Sequence, residues 1–126
     1  MAAAYLYLNA ALYAVFAVWC TVSPASTARN IGYTSLSSGG RSEYLVIYGG
    51  LQLGLAALFW ILARNPATLR LGIQISIGLY APIVLYRIIT VIRFWPVTPL
   101  TAGTGILELS LLVAALAILV KGPYAG

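Results

Sequence analysis

The chain has no histidine, a single cysteine (Cys20) and only two acidic residues, Glu43 and Glu108. Without histidine the usual zinc and haem ligand sets cannot be assembled, and neither a Ser/His/Asp nor a Cys/His nucleophilic arrangement can form. One thiol excludes an internal disulfide and dithiol redox chemistry. A glycosidase-like carboxylate pair would need Glu43 and Glu108 to meet in an aqueous cleft. No cofactor and no metal is therefore expected, and an enzyme, such as a membrane isomerase using Glu108 as acid and base, ranks last among the functional classes. Charge of either sign is scarce: 7% of the 126 residues are charged, against about 25% in an ordinary soluble domain. The seven Lys and Arg residues give a net charge of +5. They stand singly at segment ends, which argues against a nucleic-acid face and for membrane-edge anchors.

What the chain has in abundance is apolar length. At 62% hydrophobic, it divides into four runs, each able to cross a hydrocarbon core of about 30 Å as a helix. The expected fold is all-α: a single integral membrane domain over 1–126, a bundle of four transmembrane helices spanning about 4–23, 43–63, 67–94 and 103–120. The first run lacks a basic n-region and exceeds a normal h-region, so an uncleaved span is expected rather than a signal peptide. Its rings Tyr5, Tyr7, Tyr13 and Trp19 suit headgroup positions, and Asn9 suits a bond to a neighbouring helix. Residues 24–41, rich in Ser, Thr, Gly and Pro, read as a polar connection longer than a bundle needs, whose Ile31, Tyr33 and Leu36 can fold back as a cap. Pro82 predicts a kink in the third span. Lys121 closes the fourth, ahead of a Gly/Pro tail.

The stretch from Arg41 to Gly54 organises the rest. Glu43 beside Ser42 suits the first turn of a helix, where unpaired N–H groups favour an anion. Gly50, Gly54 and Ala57 then form a stripe of small residues on which another helix can pack closely. Glu108 falls about 8 Å inside the fourth span and Arg87 about 10 Å below the same surface, by helical rise. Glu43 begins the second span on that side. With Tyr48, with Tyr80 one heptad before Arg87, and with Thr104 above Glu108, these residues make a candidate polar funnel. A buried Arg87–Glu108 pair that fixes helix register is placed first, because a paired charge needs no ligand to explain it. A funnel that takes a polar headgroup or a proton is placed second.

The pattern Glu43-x-x-x-x-Tyr48-Gly49-Gly50 leading the second span, Arg87 late in the third and Glu108 opening the fourth resembles a family of small four-helix bacterial membrane proteins, known as a domain of unknown function. The family commonly carries an Arg two residues after the motif Glu; this chain has Leu45 there, and Arg41 is the candidate substitute. The resemblance implies the fold and the Glu43, Tyr48, Arg87 and Glu108 constellation, and no activity.

The first expectation for function is a non-catalytic accessory subunit of a larger membrane complex, with membrane lipids and other membrane subunits as partners and no nucleic acid. The alternative is a protein that binds or transports a lipid or small molecule through the Glu/Arg funnel. The expected location is a bacterial cytoplasmic membrane, with both termini on the cytoplasmic side. That orientation supposes that the carboxylates neutralise Arg41 and Arg93, leaving Arg64, Arg70 and Lys121 to mark the inside.

Overall fold

The structure, a computed structural model, describes residues 1–122; the tail from Pro123 lies outside the described residues. The described chain is helical without strands, and four of its helical runs are long and apolar enough to cross a membrane: Ala2–Val22, Ser38–Arg64, Pro66–Arg93 and Pro99–Lys121. We label the elements α1 (Ala2–Val22), α2 (Pro24–Ile31), α3 (Ser38–Leu45), α4 (Gln52–Arg64), α5 (Leu69–Arg93) and α6 (Pro99–Lys121). A π-helical turn, Val46–Leu51, joins α3 to α4, and a single 3₁₀ turn, Pro66–Thr68, leads into α5. Helix α1 packs mainly along α4, and α5 along α6; α5 touches both α1 and α4.

The bundle is closed at one end. Ala2, Tyr5, Leu6 and Ala10 of α1 interlock there with Phe59, Leu62 and Ala63 of α4, Leu69 and Ile73 of α5, and Leu111 and Ala115 of α6. Ala2 and Ala115 lie in the same cluster, so the start of α1 and the second half of α6 share this end of the bundle. Gly72 makes the close crossing possible: a Cβ built on it would stand 2.5 Å from Cδ1 of the fully buried Leu6. Outside this core, Val15, Ile61, Tyr86, Ile92 and Val120 are exposed. An outward apolar shell of this kind is what lipid solvates and water does not.

Several expectations change. Residues 24–31 are helical, because Pro24 occupies the first turn of α2 and Gly32, at φ +125°, ends it in a conformation that strains any side chain. This cap packs by its buried Thr27 and Ala28 against Cys20 and Tyr44. The Tyr44 hydroxyl donates to Thr27 Oγ1 at 2.7 Å, and Thr101 of α6 donates to the Ile31 carbonyl at 2.9 Å. The second span starts at Ser38, where Ser37 Oγ accepts from the Gly40 N–H; Glu43 is thus past the first turn. The fourth starts at Pro99 rather than 103, with Thr98 as its cap.

Tyr5 is not interfacial, and Asn9 bonds to a neighbouring helix as expected. Tyr5 Oη donates to the Leu111 carbonyl at 2.7 Å, Asn9 Nδ2 to the Tyr5 carbonyl at 2.9 Å, and Tyr80 Oη to Asn9 Oδ1. Three helices are tied by one buried polar chain. Asn9→Leu strands the Tyr80 hydroxyl and is expected to lower unfolding stability by about 1–3 kcal/mol. The double variant Asn9→Leu/Tyr80→Phe removes both partners and should recover most of the loss. Thermal unfolding in detergent checks both, and a single variant as stable as wild type contradicts the assignment.

Candidate functional site

The end of the bundle opposite the start of α1 is open. Between α1, the second span, α5 and α6 lies a cavity of about 450 Å³, within the size range of small-molecule pockets. It exists because the core side chains that fill the closed end give way here to a space capped by α2, whose Ile31 forms part of the wall. Tyr80 and Leu111 contribute to the wall towards the closed end; Phe16, Trp19 and Tyr48 add aromatic surface. Val15, Trp19 and Leu107 line the cavity and are themselves exposed, so it opens sideways towards lipid.

One polar feature dominates the wall. Arg87 Nη2 meets Glu108 Oε1 at 2.5 Å, with the Glu108 side chain 13% exposed and that of Arg87 33%. Because α6 begins at Pro99, Glu108 lies nine residues inside the helix, or about 14 Å by helical rise, deeper than its hydropathy boundary implied. A charge at that depth is held by a partner. Gly105, one turn before Glu108 on the same face, makes room for it: a Cβ there would stand 3.1 Å from Arg87 Cγ. The pair is not fully satisfied, since Arg87 Nε and Glu108 Oε2 are buried with no hydrogen-bond partner among the described residues. Leaving such atoms unpaired costs stability, and an under-satisfied buried pair at a cavity wall is a feature that function can account for.

Of the candidate residues, the cavity brings together Tyr48, Tyr80, Arg87, Thr104 and Glu108. It does not include Glu43, which is exposed and makes no ion pair among the described residues. The reason is helical phase: Tyr44 turns inward to Thr27, so its neighbour Glu43 turns out. Arg41 does not pair with it, and Arg93 lies over the Phe94 ring at 5.8 Å rather than against a carboxylate. Thr104 spends its hydroxyl hydrogen on its own helix, towards the Leu100 and Thr101 carbonyls.

The small-residue stripe is also placed differently. Gly50, Gly54 and Ala57 are exposed, and a Cβ on Gly50 or Gly54 would meet nothing within 4 Å. The face that packs inside the bundle carries Gly49, Ala56, Phe59 and Ala63 instead, with Gly49 pressed against Thr21. The π-helical turn adds a residue to the helical path there and offsets the two halves of the span. Sequence reading missed Tyr13, Phe16 and Gln52 as cavity residues. Tyr13 stacks on Phe59 with centroids 5.7 Å apart, and Phe16 packs edge-on to Tyr48 at 6.3 Å. The available signal was the spacing from Asn9, since Asn9, Tyr13 and Phe16 follow one face of α1.

Among the described residues no three His, Cys, Asp or Glu side chains come together as a metal site. No family model, curated protein or solved structure matches the chain, so the family resemblance rests on the motif residues alone.

Proposed function

We propose that this protein is a non-catalytic membrane protein that holds a lipid or other amphiphilic small molecule in the cavity beside Arg87 and Glu108. The observation that carries this reading is a cavity of about 450 Å³ open towards lipid, with aromatic and aliphatic walls and one ion pair. Apolar walls with a few placed polar groups are the usual form of a ligand site. The guanidinium N–H groups not used by Glu108 supply donors for a polar head, and the rings supply surface for the apolar part. We assign the protein to a bacterial cytoplasmic membrane. The start of the first span and the end of the fourth share one face of the membrane with Arg64, Arg70 and Lys121, while Arg29, Arg41 and Arg93 mark the other. Because no carboxylate among the described residues neutralises Arg41 or Arg93, the charge rule assigns neither face to the cytoplasm.

The test is extraction in mild detergent, separation by size, and mass spectrometry of what travels with the protein. A stoichiometric amphiphile is expected with wild type, reduced at least tenfold in Ile83→Trp, which fills the cavity from α5. Wild type free of any small molecule, or Ile83→Trp retaining it undiminished, overturns the reading.

A second reading, an accessory subunit, is favoured by the stripe of Gly50, Gly54 and Ala57, which faces outward with open space above its glycines. Small residues let another helix backbone approach in lipid. Under this reading wild type migrates stoichiometrically with a large complex, and Gly54→Leu releases it.

A further inference from the structure

A second recess, of about 260 Å³, lies between α2 and the start of α3, lined by Arg29, Tyr33, Thr34, Ser35 and Arg41 among others. It is distinct from the cavity at Arg87 and belongs to the connection between the first two spans, so it sits at the membrane–water boundary. Two arginines, Arg29 and Arg41, line it and no Asp or Glu does. Neither arginine side chain has an ion-pair or hydrogen-bond partner among the described residues, and the nearest acid in sequence, Glu43, is exposed and pairs with neither. Two like charges held at one recess repel, and an anion between them removes that cost. The second span also begins at Ser38, two residues after recess residue Leu36, so the positive end of a long helical run lies near the recess.

We propose that this recess binds a phosphate group, with Arg29 and Arg41 as its charged ligands and the Thr34 and Ser35 hydroxyls as further donors. Guanidinium forks match phosphate oxygens two at a time, which an ammonium group does not. Basic recesses at the ends of membrane helices suit the headgroups of anionic phospholipids, each arginine contributing about fivefold in affinity near a membrane surface. Free phosphate presents the same oxygens, and experiment separates the two sources. The site does not depend on the cavity reading, because none of its lining residues contributes to the cavity wall.

The experiment uses the full chain in detergent micelles, with native mass spectrometry and thermal unfolding as readouts. The probes are phosphatidylglycerol, phosphatidylcholine and inorganic phosphate. Phosphatidylglycerol is expected to bind wild type more tightly than phosphatidylcholine, and Arg29→Gln/Arg41→Gln to weaken it on the order of twentyfold. Arg29→Lys/Arg41→Lys keeps the charge without the fork and should fall between them. Both positions are exposed, and an unchanged helical circular dichroism spectrum confirms that the variants fold. If inorganic phosphate raises the melting temperature of wild type and not of the double Gln variant, the proposal stands with a free anion as ligand. Equal binding of the two lipids with no effect of inorganic phosphate overturns it, as does binding that the double Gln substitution leaves unchanged.

Discussion

Glu108→Ala is expected to lower unfolding stability by about 2–4 kcal/mol, towards the low end of what losing one partner of a buried ion pair costs. The variant leaves Arg87 without its bond to Glu108 Oε1 in the cavity wall. The low end applies because the Arg87 side chain is 33% exposed and can move part of its charge towards the membrane edge. Replacing both partners, as Arg87→Leu/Glu108→Leu, removes the uncompensated charge and the two unsatisfied atoms together. That double variant should return to within about 1 kcal/mol of wild type, as apolar replacement of buried pairs commonly does. Thermal unfolding and expression level measure both. If Glu108→Ala is as stable as wild type, the pair does not hold the bundle. The double variant also separates two roles: a well-folded protein that no longer retains an amphiphile assigns the pair to the ligand as well as to the fold.

The second large effect concerns two glycines of identical chemistry in opposite surroundings. Gly72→Ala puts a methyl group 2.5 Å from Leu6, a fully buried side chain. Leu6 must leave its rotamer or α1 and α5 must separate, at a cost of about 1–3 kcal/mol for overpacking. Gly54→Ala meets nothing within 4 Å and is expected to raise stability by about 0.5–1 kcal/mol through helix propensity. Unfolding of the two variants side by side checks the contrast. Equal effects would mean that α1 and α5 do not cross at Gly72.

These two positions also show where sequence reading reached its limit. The small residues of the second span were visible as a stripe, and a stripe does not say whether it faces another helix of the same chain or the lipid. That depends on the phase of the whole helix, which the π-helical turn at Val46–Leu51 offsets. Gly72 carried no pattern that set it apart, since its role is defined by Leu6, far away in the chain. The missed helix α2 was in principle readable from Ser23-Pro24 at its start and Gly32 at its end. Its polar composition hid it, because hydropathy reports burial in lipid rather than helicity.

Glu108 and Arg87 were recognisable as partners because apolar length fixes the order and alternating direction of the spans, and two isolated opposite charges at similar depth have little choice of company. Glu43 shared their leaflet and was left out, since helical phase, not depth, decides which way a side chain points. Composition and apolar run length therefore determine the all-helical, membrane-spanning class, because both are properties of each segment alone. The cavity, the cap of α2 over it and the recess between Arg29 and Arg41 arise only when four helices settle their rotations against one another. Those rotations are set by particular side chains meeting across the bundle, Leu6 on Gly72 and Tyr80 on Asn9 among them, and no segment carries that information by itself.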